Sequence, residues 1–259
     1  MDGPLHDGGT GAQPCYVYGV VGGQGPREFA ARGLGGERVD VLQHAELAAL
    51  VSPASAAGYP ATRGNVAAHH LVLEEAMRTG AVLPMRFGIV APSAQAVREL
   101  VLRPRLAELQ GLLARVAGKV ELGLKVYWQE QVVFQQIVAE NRELRALRDS
   151  LVGRPAQETK SERIRLGQMV ETDLWAKRER DASRIVAVLR PLAHDLAIGK
   201  IGAETMVLDA AFLIGAERRG EFDQAVTKLN QEQGRRLAFQ YVGPLPPYSF
   251  VSITLEIQR

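Results

Sequence analysis

The chain has 259 residues, of which 46% are hydrophobic and 23% are charged. These fractions are those of an average globular protein and exclude a wholly disordered chain, and the length favours two domains over one. The net charge of +2 is too small for the broad positive field of a nucleic-acid-binding protein, so we expect no nucleic-acid partner.

The amino-terminal residues and the single cysteine indicate a cytoplasmic protein. Residues 1–14 are rich in Gly and Asp and lack the apolar run of a secretory signal, so we expect a disordered tail there. Cys15 alone can form neither an intrachain disulfide nor a multi-thiolate metal site, which fits a reducing compartment. No stretch approaches the roughly 18 consecutive apolar residues that span a bilayer, so no membrane contact is predicted.

The first predicted elements form a sheet and a helix. Residues 16–21 combine β-branched and aromatic side chains in an apolar run, and two further strands continue the sheet at residues 34–41 and 45–52. Gly80 ends a predicted helix over residues 63–79. The apolar face of this helix is predicted from four positions at helical spacing, Val66, His70, Leu73 and Met77.

The remainder of the amino-terminal half continues the mixture of strands and helices. A strand over residues 81–90 is followed by a helix over residues 94–102. Pro104 separates this helix from a second one that ends near Ala117. Gly118 then marks the boundary of an α+β amino-terminal domain, residues 15–118.

The second half begins with a strand over residues 120–128 and a long helical pattern from Phe134 to Leu151. One polar residue, Asn141, interrupts the apolar stripe of this helical pattern. A Gly-Arg-Pro break at residues 153–155 separates it from a second helix over residues 161–192. The narrower apolar face of this helix is predicted from Val170, Leu174, Asp181, Ile185 and Val188. The two helices predict a long helical hairpin.

Positive charge is concentrated in this hairpin. Residues 141–190 hold twelve Lys or Arg and eight Asp or Glu, an excess of four positive charges. A solvated helix surface with local ion pairs accounts for this composition, and a site for an acidic partner is the alternative.

The remaining pattern predicts strands over residues 196–201 and 206–214, a helix over residues 218–233 and a strand over residues 236–242. With the hairpin counted as one element, the order is βαββαβ, which is typical of a ferredoxin-like domain. The predicted fold class is therefore α+β with two domains. The ferredoxin-like domain, residues 119–243, carries the helical hairpin as an insertion and precedes an extended tail.

Residues 244–259 are predicted to form a proline-rich strap and a terminal strand. Pro244, Pro246 and Pro247 fix three φ angles and remove three donors, so the chain should leave the sheet after residue 242. Apolar residues then alternate over residues 249–257, as in a strand that could pair with the first domain. The proline segment is interpreted as a structural clamp, with a docking motif for a partner as the alternative.

Three constellations could carry chemistry. The glycine-rich loop at residues 19–25 follows a strand but has Glu28 in place of the third glycine of a dinucleotide-binding loop. His70 and Glu74 lie four residues apart on a helix and could share a metal with His69, but zinc needs at least three ligands, so a buried hydrogen-bonded histidine is favoured. No nucleophile elbow is present, and paired carboxylates such as Glu171 and Asp173 lie two residues apart on a helix and point to different sides. No catalytic residue, cofactor or metal ligand is therefore predicted.

Residues 83–88 (Leu-Pro-Met-Arg-Phe-Gly) contain one ionised side chain in an otherwise apolar strand. Because a buried charge needs a partner, we expect Arg86 to pair with a carboxylate or with carbonyl groups and to hold the first domain together.

Several segments in a fixed order resemble the gas vesicle protein F/L family (GvpF/GvpL). They are Tyr-Val-Tyr-Gly at residues 16–19, His-His at 69–70, Leu-Pro-Met-Arg-Phe-Gly at 83–88, Tyr-Trp at 127–128 and Gly-Pro-Leu-Pro-Pro-Tyr-Ser-Phe at 243–250. Leu245 stands where members of this family commonly have tryptophan. The family-motif residues, interpreted as structural, are Arg86, Phe87, Gly88, Gly243, Pro244, Pro246, Pro247, Tyr248 and Phe250.

The resemblance implies an α+β domain followed by a ferredoxin-like domain. It also implies a non-enzymatic accessory protein, either a minor component or an assembly factor, located in the cytoplasm and on the gas vesicle. The implied partners are the small hydrophobic shell protein, contacted early in vesicle formation, and other accessory proteins. A ferredoxin-like module that binds a small ligand and a metal-dependent enzyme are the alternatives.

Overall fold

The computed structural model describes residues 13–23, 28–251 and 253, and the chain divides into two compact units. The first unit comprises the described residues of 1–121 and 244–259, and the second comprises residues 122–243. The tail predicted for residues 1–14 lies outside the described residues except for Gln13 and Pro14. No helix in the described ranges is long and apolar enough to cross a bilayer.

The first unit is built from five strands and three helices. The strands are β1 (Cys15–Gly22), β2 (Asp40–His44), β3 (Leu47–Pro53), β4 (Val82–Pro84) and β5 (Val90–Ala91). They form an antiparallel sheet of order β2-β3-β1-β4, and β5 also pairs with β1. The helices are α1 (Arg63–Thr79), α2 (Ala94–Val97), which continues into a π-helical turn at Arg98–Leu102, and α3 (Leu106–Val116).

Strand β1 separates two apolar layers. Because successive side chains of a strand point to opposite faces, Val17 packs in one layer with residues of α2 and α3, while Tyr16 packs in the other with residues of α1. The register with β3 shifts between Val17 and Gly19, which places Val20 in the same layer as Val17. The two layers therefore cover both faces of the sheet.

Two predicted strands of this unit are wrong in their limits because glycine adopts positive φ within them. Gly35 and Gly36 have φ of 68° and 78°, so residues 34–36 form a single 3-10 turn and the strand begins only at Asp40. The pattern predicts one strand over residues 81–90, but β4 ends at Pro84 and the chain turns at Gly88, where φ is 97°, before β5.

Helix α1 buries a face that is rotated from the predicted one. The buried positions are His69, Val72, Leu73 and Ala76, whereas Val66, His70 and Met77 are only partly buried. The helix begins at a capping residue, because the hydroxyl of Thr62 accepts a hydrogen bond from the Asn65 N–H. The rotation turns His69 toward the sheet.

The second unit is built from four strands and four helices. The strands are β6 (Lys119–Trp128), β7 (Asp195–Ile198), β8 (Met206–Gly215) and β9 (Leu237–Leu245), in the sheet order β7-β8-β6-β9. The helices are α4 (Glu130–Glu140), α5 (Arg142–Ser150), α6 (Lys160–Leu189) and α7 (Arg219–Gln233). Single 3-10 turns lie at Arg190–Leu192 and Ala216–Arg218.

The first helix of the predicted hairpin is interrupted at Asn141. Its φ and ψ of −105° and 105° are extended, and its side-chain oxygen accepts a hydrogen bond of 3.0 Å from the Leu144 N–H. Asparagine is a strong N-cap because its side chain satisfies a free donor of the first turn. The single helix predicted from Phe134 to Leu151 is therefore two helices, α4 and α5.

The last strand runs further than predicted. β9 continues through Gly243 and Pro244 to Leu245, so the predicted exit from the sheet after residue 242 is wrong. β9 lies at the edge of its sheet, where proline is tolerated because one side of the strand needs no donor. The strand predicted over residues 249–257 is absent from residues 249–251, and the rest of it, apart from residue 253, lies outside the described residues.

Candidate functional site

A buried histidine on α1 connects both family motifs within the first unit. His69 is 1% exposed, and its Nδ1 lies 3.0 Å from the hydroxyl of Tyr16. Its Nε2 lies 3.2 Å from the carbonyl oxygen of Met85 and 3.1 Å from the hydroxyl of Tyr248. We call these four residues the His69 cluster.

The partners determine the protonation of the His69 ring. Since a carbonyl oxygen only accepts, Nε2 carries the hydrogen that points toward Met85, and Nδ1 accepts from the Tyr16 hydroxyl. The Tyr16 oxygen in turn accepts from the Gly88 N–H at 2.9 Å. Burial, and secondly the charge of neighbouring His70, lower the pKa of His69 to about 4. The ring is therefore neutral at pH 7.

The motif at residues 83–88 contributes to this cluster through its backbone and one aromatic ring. The Phe87 ring lies 5.9 Å from that of Tyr16 and 5.8 Å from that of His69, measured between centroids. Arg86 is exposed and forms no hydrogen bond or ion pair with any described residue. The expected pairing of Arg86 is wrong because β4 ends at Pro84 and the following turn directs this side chain to solvent.

The proline motif closes against the same cluster. Pro246 and Pro247 are buried, and their carbonyl groups accept hydrogen bonds from the N–H groups of Tyr248 and Phe250. Phe250 is itself buried at 7% exposure. These bonds form a tight turn that presents the Tyr248 hydroxyl to His69. Gly243 and Pro244 lie earlier, within β9.

A buried carboxylate fixes the end of this turn. Glu121 is 5% exposed, and its two oxygens accept from the N–H and the hydroxyl of Ser249 at 2.7 and 2.8 Å. Burial raises the pKa of Glu121, and the two hydrogen bonds oppose this shift in part. The segment is therefore held by charge-assisted hydrogen bonds as well as by apolar packing.

The geometry gives little support to a metal site at the histidines or to a phosphate-binding site at the glycine-rich loop. Within residues 13–23, 28–251 and 253, no three His, Cys, Asp or Glu side chains are placed to hold a metal ion. Both ring nitrogens of His69 already have partners. Residues 19–22 of the glycine-rich loop lie in β1, and a Cβ at Gly19 would stand 2.7 Å from the Leu83 carbonyl oxygen. Gly19 therefore allows β1 and β4 to pack closely. Residues 24–27 of the loop lie outside the described residues.

The second unit contains a buried ion pair. Asp181 on α6 is 3% exposed and accepts from both terminal nitrogens of Arg236, at 2.5 and 2.9 Å. The indole nitrogen of Trp128 donates to the same carboxylate at 2.9 Å. Burial acts to raise the pKa of Asp181, but the hydrogen bonds from Arg236 and Trp128 and the nearby positive charges outweigh it, so the pKa is lowered. We call these three residues the Asp181 cluster.

A groove runs along one face of α6 and has a volume of about 1010 Å³. Its apolar lining residues are Leu166, Val170, Leu174 and Trp175. Gly167 and five polar or charged residues complete the lining: Arg163, Glu171, Thr172, Arg178 and Glu204. Trp175 is 62% exposed, and a side chain at Gly167 would meet no atom within 4 Å. This α6 groove is therefore an open helix face in which apolar side chains, Trp175 among them, lie beside charged ones.

The sequence predicts only part of these two sites. The sequence predicts Asp181 only as a polar member of an apolar stripe. Trp128 is identified only through the Tyr-Trp segment of the family resemblance, and Arg236 only as the start of a strand. The available signal was the acidic residue itself, because a buried carboxylate requires a cation or several donors. Trp175 was also missed, since it lies outside the predicted apolar stripe of α6.

Comparisons with known proteins agree with the resemblance. Residues 14–252 match the family model described as gas vesicle synthesis protein GvpL/GvpF. Gas vesicle protein F of Streptomyces sp. is 35% identical and that of Dolichospermum flosaquae is 29% identical; the alignments cover 91% and 93% of this chain and 98% of each relative. The crystal structure of GvpF from Anabaena sp. PCC7120 superposes with a TM-score of 0.83 at 29% identity, over 94% of this chain and all of that one. The protein is thus a member of the GvpL/GvpF family of gas vesicle synthesis proteins.

Proposed function

We propose that the protein is a non-enzymatic accessory protein, a minor component or assembly factor, that binds the small hydrophobic shell protein early in gas vesicle formation. The binding takes place in the cytoplasm or on the growing vesicle. The observation that carries this proposal is the α6 groove with its exposed Trp175. A largely exposed tryptophan in an open groove is typical of an interaction surface, because contact of its ring with water is unfavourable.

The α6 groove suits a helix better than the edges of the second unit's sheet suit an added strand. An added strand requires a row of free donors and acceptors at a sheet edge. Edge strand β9 contains Pro244, which has no donor, and edge strand β7 has only four residues. An apolar helix of the shell protein can instead lie along the groove and cover Trp175 without backbone pairing.

The buried polar groups support a structural role rather than a catalytic one. Active-site acids and bases need access to substrate, whereas His69 and Asp181 are buried and their polar atoms bind other residues of the chain. We assign the His69 cluster to the architecture of the first unit, and with it the motif residues Phe87, Gly88 and Tyr248.

We further propose that the second unit is ferredoxin-like, with α4, α5 and α6 replacing the first crossover helix. Its support is the sheet order β7-β8-β6-β9. Numbered within the unit, this order is 2-3-1-4, which a split βαβ arrangement generates. The proline-rich strap of residues 244–259 is proposed to complete the first unit, since Phe250 and Val251 are buried.

A charge introduced into the α6 groove tests the proposed function. We expect Trp175→Glu to weaken binding of the shell protein at least tenfold, because loss of a central aromatic anchor costs about 2 kcal/mol or more. The measurement is co-purification of the two proteins, with circular dichroism to confirm folding. Leu71→Glu is the matched control, because Leu71 is 55% exposed on α1 of the first unit. Equal binding by Trp175→Glu and the wild type would refute the role of the groove.

A further inference from the structure

The α6 groove contains a glycine that packing within the chain does not explain. Gly167 is exposed in the interior of α6, and a Cβ there would meet no atom of the described residues within 4 Å. Glycine inside a helix is less favourable than alanine, and it is typical of positions that another backbone approaches closely. The described residues supply no such backbone at this face, so a partner is favoured.

Its position in the groove distinguishes Gly167 from other open glycines. Gly111 on α3 is also exposed and also has open space at its Cβ position, so openness alone does not indicate a site. Residues 167, 171 and 175 are spaced by four and share one helix face. Gly167 therefore lies about 12 Å along the axis from the largely exposed Trp175, with Glu171 midway between them.

A carboxylate without a partner lies in the middle of this face. Glu171 is exposed and forms no hydrogen bond or ion pair with any described residue. The two cations of the groove are already engaged: Arg163 donates to a hydroxyl and a carbonyl oxygen, and Arg178 donates to two carbonyl oxygens, at 2.7–3.2 Å. A Lys or Arg side chain of a partner would complement Glu171.

A second copy of this chain is a poor occupant of the groove. If two α6 helices packed antiparallel about a two-fold axis, Trp175 of one copy would face Gly167 of the other, because both are four residues from position 171. The same symmetry would place the two Glu171 carboxylates against each other, and like charges in contact repel. A different chain with a cation at that position avoids this repulsion.

We propose that the helix bound in the α6 groove makes its closest approach at Gly167, where one of its bulky apolar side chains fills the place of the missing side chain. The same helix carries a Lys or Arg opposite Glu171 and a second apolar side chain against Trp175. This inference rests on the proposed function, in which the helix belongs to the shell protein. It specifies an apolar helix face about 12 Å long with a basic residue in its middle.

Two matched substitutions test the closest approach. Gly167→Leu and Gly111→Leu should each raise the melting temperature of the free chain by about 2 °C, because leucine replaces glycine in open space inside a helix. Gly167→Leu should nevertheless lower the amount of co-purifying shell protein about fivefold or more, since the leucine holds the two helices apart. Gly111→Leu should leave this amount unchanged.

The outcomes separate this inference from the proposed function. Equal co-purification with Gly167→Leu and the wild type would overturn the inference alone. No co-purification with the wild type would refute the proposed function as well. A dimer of the free chain in sedimentation that Gly167→Leu abolishes would identify a second copy as the occupant and would also overturn the inference.

A charge variant tests the basic residue of the partner. Glu171→Gln should lower co-purification about threefold at low salt and reduce its salt dependence, because exposed charge pairs are weak and screened. Glu232→Gln, which is exposed on α7, should change neither quantity. The same salt dependence in Glu171→Gln as in the wild type would contradict the basic residue opposite Glu171.

Discussion

Replacing Arg236 by Met is expected to lower the free energy of unfolding by about 3–5 kcal/mol, because it leaves a buried carboxylate without its cation. Asp181 is 3% exposed and would lose both bonds from the guanidinium group. Trp128 would remain as a neutral donor, which cannot compensate a full charge. Denaturant unfolding followed by circular dichroism measures the loss.

Two further variants distinguish the effect of an unpaired buried charge on stability from the effect of losing an arginine side chain. Arg235→Met removes an exposed neighbour and should change stability by less than about 0.5 kcal/mol. Adding Asp181→Asn to Arg236→Met should restore more than half of the loss, since the buried charge is gone and an acceptor for Trp128 remains. A single Arg236→Met variant as stable as the wild type would show that Asp181 does not depend on this pair.

Acidification between pH 6.5 and about 4 is expected to remove about 3 kcal/mol of stability through His69 alone. The folded-state pKa of His69 lies below its unfolded value of 6.5, so the native structure favours the neutral ring. The contribution is therefore fully present above pH 6.5 and is lost as the pH falls toward 4. Urea unfolding at a series of pH values gives the free energy of unfolding.

The matched variant for the pH effect is His69→Gln, whose amide can donate to the Met85 carbonyl and accept from Tyr16 but does not titrate. Glu121 acts in the opposite direction: burial raises its pKa, so its contribution is present below its unfolded pKa and decreases as the pH rises. This contribution cancels when the two pH curves are subtracted. Curves that run parallel from pH 6.5 to 4 would exclude His69 as the source.

Local patterns in the sequence predict much of this fold because they depend on neighbouring residues. The helix-ending Gly80 and the apolar run of β1 are examples, and both appear as predicted. The errors in the limits of predicted strands and helices also have local causes. Gly35 and Gly36 adopt positive φ, and Asn141 acts as an N-cap. Both residue types can either continue an element or end it, so the hydrophobic pattern alone does not predict which occurs.

The partners of buried polar groups could not be predicted because they lie far apart in the chain. Trp128 and Arg236 are 53 and 55 residues from Asp181, and Tyr248 is 179 residues from His69. The sequence identifies a carboxylate in an apolar stripe and a histidine on a helix, but only the fold brings their partners together. Arg86 shows the opposite error. Its apolar neighbours in the sequence predict a buried side chain, but the turn after β4 exposes it.

The most direct test of the proposed function is photo-cross-linking from position 175 in cells that form gas vesicles. A photoreactive amino acid replaces Trp175 on the α6 groove in one strain and the exposed Leu71 on α1 in another, and mass spectrometry identifies the adducts. The account predicts shell-protein adducts from position 175 and none from position 71. Shell-protein adducts from position 71 but not from position 175 would contradict it.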